Sequence, residues 1–200
     1  MNKSKLFTLE DTNPMYWAEF DSIVQKLITE IIEYCSKTSI HIDAVCPILR
    51  NGAIPATMIA NKLKIVPMLP VQVKCDYTQG KPVQLLPFAR SMSPSMHENP
   101  NLLVVECNTF SGESARLAGS IIKEVYPDAS LLYATVTQVF RKVPIDLSIF
   151  THVFTGMFTN ENFEASEEEE AEQFMRKKVV IYPWETPEFE IADINATLDQ

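Results

Sequence analysis

Leu102-Leu103-Val104-Val105-Glu106-Cys107-Asn108-Thr109-Phe110-Ser111-Gly112-Glu113-Ser114-Ala115 changes its pattern twice. Four apolar residues run into an acid, and small hydroxyl residues then surround a glycine. After Ser114 the apolar residues Leu117, Ile121, Ile122 and Val125 recur at helical spacing. That order predicts a buried strand, a tight loop and a helix start. The free N–H groups of a helix start favour an anion. Phe110, Ser111, Gly112, Glu113 and Ser114 would form the loop, with Gly112 letting the backbone close and the two serine hydroxyls as extra donors. The plainer alternative is an ordinary turn capped by Ser111.

The same arrangement occurs upstream. Ile42 to Leu49 predicts a strand buried on both faces, with Pro47 at its end because proline cannot donate to a ladder. Arg50-Asn51-Gly52 is the turn, and Ala53 to Leu63 is a helix with Ile54, Met58, Ile59 and Leu63 on one face. In open α/β sheets, ligands gather where such loops leave the strands. Before it, Thr12-Asn13-Pro14 reads as a helix start. Phe20, Ile23, Val24, Leu27, Ile31 and Tyr34 give helix 15–36 a buried face, and Tyr16 and Trp17 are assigned to the same packing.

Downstream, residues 66–73 predict a strand that Lys74 leaves. Residues 78–100 form a long connection, for which a binding loop and an unstructured linker are equal readings. Tyr126-Pro127-Asp128 stops the helix after the opening stretch, Leu131 to Val139 is a further strand, and Ile149 to Phe158 is an edge strand or hairpin. The acidic run Glu164 to Glu172 reads as a solvated segment. Apolar character returns at Val179-Val180-Ile181-Tyr182, and the last residues are expected to run over the surface.

Composition limits the function. Two hundred residues at 46% hydrophobic suit a single domain, residues 1–200, with one core. A net charge of −9 argues against a general nucleic-acid binder, which needs excess Lys and Arg. No apolar run suits a membrane span or a signal peptide. Cys35, Cys46, Cys75 and Cys107 are scattered without metal-ligand spacing. The expected location is cytoplasmic, and no dedicated metal site is expected.

Taken together, these segments resemble the type I phosphoribosyltransferases, over roughly residues 40–185. That family's signature is a hydrophobic strand, two acids, two variable residues and Asp-Thr-Gly-x-Thr. Here it reads Val104-Val105, Glu106-Cys107, Asn108-Thr109, Phe110-Ser111-Gly112-Glu113-Ser114. Leu49-Arg50-Asn51-Gly52 is similar to the family's pyrophosphate loop, Leu-Arg-Gly-Gly. Pro183-Trp184-Glu185 after an apolar strand resembles the hood of the xanthine, xanthine-guanine and hypoxanthine branch, with Val179 where a stacking tryptophan is typical.

The resemblance implies an α/β fold with a mostly parallel central sheet flanked by helices on both faces. The core would span about residues 40–160, with a small C-terminal hood built from the N-terminal segment and about 176–190. It implies that Phe110 to Ser114 seat the 5′-phosphate of phosphoribosyl pyrophosphate (PRPP). Arg50, Asn51, Gly52 and Lys74 would hold pyrophosphate, and a non-proline cis peptide is implied in that loop. Glu106, the catalytic residue of the set, would accept hydrogen bonds from the ribose hydroxyls, directly or through Mg²⁺, and Lys142 with Val180, Ile181 and Tyr182 would meet the base. Tyr182 and Trp184 read equally well as plain packing. Mg²⁺ is implied as an ion bridged by substrate oxygens, and a homodimer is implied as well. Cys107 and Phe110 stand where the family carries carboxylates. Two readings follow: a transferase acting on a 6-oxopurine base, or a non-catalytic relative that binds PRPP or a nucleotide as a sensor or scaffold.

Overall fold

A computed structural model describes residues 6–65, 67–76, 81–92, 96–141, 143–159 and 179–198. Lys142 and the acidic run Glu164 to Glu172 lie outside these residues. The strands are β1 (Thr12–Pro14), β2 (Ala44–Leu49), β3 (Val71–Asp76), β4 (Lys81–Gln84), β5 (Asn101–Thr109), β6 (Ser130–Val139), β7 (His152–Thr159) and β8 (Val179–Ile181). The helices are α1 (Trp17–Thr38), α2 (Ala53–Leu63), α3 (Glu113–Val125) and α4 (Pro187–Leu198).

The strands richest in apolar residues, β2, β5 and β6, are buried along most of their length and lie at the centre of the sheet. Its order is β4-β3-β2-β5-β6-β7. Every pairing in it is parallel except β3 with β4. Alternation along each strand sends side chains to two separate cores. On one face Val45, Leu103, Val105, Cys107 and Ala134 pack with Phe20, Val24 and Leu27 of α1 and Ala56 and Ile59 of α2. On the other, Cys46, Ile48, Val104 and Tyr133 pack with Ala115, Ala118, Ile121 and Ile122 of α3. The fold is therefore the expected α/β layer structure, with helices on both faces of a mostly parallel sheet.

β1 and β8 form a separate two-stranded parallel sheet, Thr12 opposite Val179 and Pro14 opposite Ile181. Around it cluster Trp17, Phe20, Tyr182 and Trp184. Phe20 meets Trp184 edge-on at 4.9 Å, and Tyr182 stacks on Trp184 at 5.2 Å. The Asn195 side chain both accepts from the Phe7 N–H and donates to the Phe7 carbonyl, at 2.8 and 2.9 Å. The N-terminal segment, β8 and α4 are thus tied together as a hood over one end of the sheet.

Several local expectations are corrected. Thr12-Asn13-Pro14 is strand, and the helix starts later, with Tyr16 as its N-cap. A proline at an edge position serves a strand as well as it serves a first helical turn. Tyr16 is 72% exposed and Trp17 56%, so Tyr16 does not belong to the packed face and Trp17 joins it only by one edge. Pro47 lies inside β2, opposite Val105. The strand tolerates it because its missing N–H falls between the Val45–Met68 bridge and the Ile48–Val71 pairing, where the β2–β3 ladder is interrupted.

β3 begins at Val71 rather than at residue 66, and the long connection contains β4, an antiparallel edge strand. β7 is a parallel edge strand paired with β6, not part of a hairpin. The C-terminal residues form α4, beginning with Pro187 and acidic residues Glu188 and Glu190 in its first turn, as helix starts favour.

Candidate functional site

All the parallel strands point their C-terminal ends to one edge, which brings the loop after β2 beside the loop after β5. The peptide from Leu49 to Arg50 is cis, placing it at the first step of the Arg50–Gly52 turn. A Cβ on Gly52 would lie 2.4 Å from the Val105 carbonyl oxygen and 2.5 Å from that of Ile48. Only glycine lets this turn sit directly on β5. The turn is also held by side chains. The Cys107 thiol donates to the Asn51 carbonyl at 3.1 Å, and the Asn51 amide donates to the Glu185 carboxylate. The other Glu185 oxygen accepts the Tyr182 backbone N–H at 2.8 Å. A hood carboxylate therefore clasps the loop after β2.

Glu106 and Cys107 are neighbours in β5, so the pleat sends them to opposite faces. Glu106 accepts a hydrogen bond from the Tyr133 hydroxyl, which is also 2.7 Å from Thr109 Oγ1. Burial pushes its carboxyl up to about 7, against the pull of the Tyr133 hydrogen bond. The Cys107 thiol is pushed well above its ordinary value by burial, and the Glu185 and Glu106 charges add to the effect. It is a neutral thiol serving the loop, not a substitute for a ribose-binding acid.

The loop after β5 turns at Gly112, whose φ of 75° is left-handed. A Cβ there would lie 2.5 Å from the Ile145 side chain, so the glycine also admits the segment that follows β6. Arg116 donates to the carbonyls of Ser111 and Asp146 at 3.3 and 2.9 Å, tying the two segments together. The Ser111 hydroxyl accepts weakly from the Glu113 N–H at 3.4 Å. Glu113 is exposed, which keeps its charge out of the loop. The Arg141 guanidinium lies over the Phe110 ring at 4.7 Å.

Between the loops and the hood is a cavity of about 330 Å³. Of the residues expected from sequence, Arg50, Asn51, Gly52, Lys74, Glu106, Ser114, Val180 and Tyr182 line it. Phe110, Ser111, Gly112 and Glu113 lie outside that lining, and so does Ile181, which is buried and accepts the Met15 N–H at 2.8 Å. Val179, at the stacking position implied by the resemblance, lines the cavity as an aliphatic wall. Tyr182 is 3% exposed and its hydroxyl donates to the Cys107 carbonyl at 2.7 Å. Of its two readings, packing is the one its side chain follows.

Sequence reasoning missed Tyr133, Glu185, Glu190 and Asp193. The last three bring acid to the cavity wall. Lys74 Nζ is 3.4 Å from Asp193 Oδ1, and Arg50 lies over the Phe189 ring at 5.7 Å. Burial pushes the Glu185 carboxyl up to about 7; the Tyr182 N–H, Asn51 and Arg50 oppose the rise and the Glu190 charge adds to it. Glu190 is raised too, by burial and then by Asp193, while Arg50 and Lys74 oppose it. Residues Glu190 and Asp193 are three apart on α4, hence on one face, a spacing visible only once the segment is known to be helical.

No protein-family model matches the chain, and no curated protein matches it. Solved structures do. A purine phosphoribosyltransferase from Pyrococcus horikoshii superposes with a TM-score of 0.59 at 17% identity, over 88% of this chain and 95% of that one. The xanthine-guanine-hypoxanthine phosphoribosyltransferase of Helicobacter pylori gives 0.57 at 12% identity, over 91% and 99%. A hypothetical protein from Neisseria gonorrhoeae with bound ppGpp gives 0.56 at 16%, over 94% and 98%. In fold, the chain is type I phosphoribosyltransferase-like.

Proposed function

We propose that the cleft binds PRPP or a nucleoside 5′-monophosphate. The observation that carries this reading is the convergence of Arg50, Gly52, Lys74, Glu106 and Ser114 on one cavity at the C-terminal edge of a parallel sheet. Ser114 and the α3 N-terminus would take the 5′-phosphate. Arg50, with the backbone of the turn and Lys74, would take pyrophosphate, and Glu106 would accept from a ribose hydroxyl. Transfer of phosphoribose to a 6-oxopurine, releasing pyrophosphate, is the reaction this placement would serve. Among the described residues, no group of three or more His, Cys, Asp or Glu side chains could hold a metal ion. Mg²⁺ would be held mostly by ligand oxygens and water, with the cavity-lining Glu106 and Asn108 as protein oxygens that could join them. The ion would offset ligand charge.

A second reading, ligand binding without turnover, has its own supporting observation. Glu185 of the hood clasps Asn51, and Cys107 and Phe110 supply no carboxylate. Loss of a general acid or base costs about 10²–10⁴ in rate.

The test is titration of PRPP with Mg²⁺ by calorimetry, followed by a pyrophosphate-release assay against a panel of purines, pyrimidines and orotate. Nucleoside monophosphates and ppGpp, the nucleotide of the N. gonorrhoeae neighbour, complete the binding panel. Binding with release supports the transferase. Binding without release supports the second reading, and the absence of binding across the panel overturns both.

A further inference from the structure

Of the two cations expected to receive pyrophosphate, one already pairs with a carboxylate of the chain itself and the other is covered by a side chain of the same helix. Lys74 pairs with Asp193 at 3.4 Å, Arg50 lies against Phe189, and Glu190 lines the same cavity. Asp193, Phe189 and Glu190 all belong to α4. Asn51, between Arg50 and Gly52, is bound by Glu185, just ahead of that helix. α4 is held in place from outside the cavity, where Asn195 makes its paired hydrogen bonds to the Phe7 backbone. Asn195 does not line the cavity, whereas Asp193 and Ile194 do.

We infer that α4 is an internal anionic occupant of the pyrophosphate subsite, and that a diphosphate-bearing ligand binds by displacing Asp193 from Lys74 and Phe189 from Arg50. The inference rests on the proposed ligand class and adds a mode of regulation to it. A closed form favoured about ten to one lowers apparent affinity about tenfold. Anything that loosens α4 or removes its charge recovers that factor. Simple charge repulsion differs in one respect: it depends on the carboxylates but not on the Phe7–Asn195 latch.

The experiment uses the full chain and measures binding of inorganic pyrophosphate with Mg²⁺ by calorimetry. Three proteins are compared: wild type, the double variant Glu190→Gln with Asp193→Asn, and Asn195→Ala. Both variants should bind about tenfold more tightly, and amide exchange of residues 187–198 in wild type should speed up on adding pyrophosphate. Circular dichroism confirms that the variants fold. Equal affinity in all three, with binding present, overturns the inference and leaves the proposed function standing. Tighter binding in the charge variant alone means repulsion without occupancy and also overturns it. Weaker binding in the charge variant makes the carboxylates part of the site, with the same consequence. No binding in any protein overturns the inference together with the ligand assignment.

Discussion

Glu106 combines an acidic side chain with a mostly enclosed position and one strong donor, the Tyr133 hydroxyl. In the unfolded chain its carboxyl titrates near 4.5, and in the fold at about 7. Between those values the folded state keeps a proton that the unfolded state has lost, so stability falls as pH rises through the interval and levels off above it. A displacement of this size costs at most about 3 kcal/mol, less whatever cavity water screens. Glu185, also pushed to about 7, acts in the same direction. Urea midpoints measured between about pH 5 and 8 should therefore fall for wild type, and Glu106→Gln should remove roughly half of the fall. An unchanged slope in the variant would mean that Glu106 is charged in the fold at neutral pH. Cys107 differs from Glu106 because the next position in the pleat faces the α1–α2 core. The replacement of the second acid by a thiol is legible from sequence. Its bond to Asn51 was not legible, since it joins residues far apart in the chain.

At the scale of elements, the β2–α2 and β5–α3 units carry the loops, and each loop depends on a glycine. Gly52→Ala would drive a methyl group into the Val105 and Ile48 carbonyl oxygens, which are backbone atoms of central strands and cannot turn away. The expected cost is about 1–3 kcal/mol or more, seen as a lower calorimetric melting temperature together with weaker pyrophosphate binding. Ser114→Ala should behave oppositely. Ser114 lines the cavity, and losing one hydrogen bond to a charged group costs about 1.5–3 kcal/mol. Binding of any 5′-phosphate ligand should weaken at least tenfold, with the melting temperature nearly unchanged. Unchanged affinity would remove Ser114 from the phosphate seat. These units were legible because a doubly buried strand and a 3.6-residue apolar stripe are both strong patterns. β4 was not legible, because a four-residue edge strand exposed at both ends, Lys81–Gln84, has little apolar signal. α4 was missed for a related reason. Its polar, acidic face reads as a surface tail until Ile191 is seen to be buried and Asn195 to bond to Phe7.

At the scale of the molecule, the cleft exists because the hood is fixed over the sheet edge, and one aromatic side chain of the main core packs against three of the aromatic rings there. Phe20 is fully buried in α1, an element of the main core. Its ring meets Trp184 at 4.9 Å, Tyr182 at 6.1 Å and Trp17 at 6.1 Å. Tyr182 in turn bonds to the Cys107 carbonyl in β5, and its backbone N–H holds Glu185. The hood is thus coupled to the Arg50–Gly52 loop through a short run of packed and bonded groups beginning at Phe20. Removing the ring should cost about 3–5 kcal/mol, as for other buried phenylalanines. The loss should also be uneven. β5 and β6 keep their pairing and their α3 core, whereas Tyr182 and Trp184 lose the surface they pack on. Phe20→Ala should therefore lower the urea midpoint and, under conditions where the variant is still folded, speed amide exchange at residues 179–195 far more than at residues 101–109 and 130–139. Ligand affinity should change with the hood, because Glu185 and α4 move with it. Uniform acceleration of exchange across both groups would mean that the hood and the sheet open as one unit, and that Phe20 supports the whole core rather than the position of the hood.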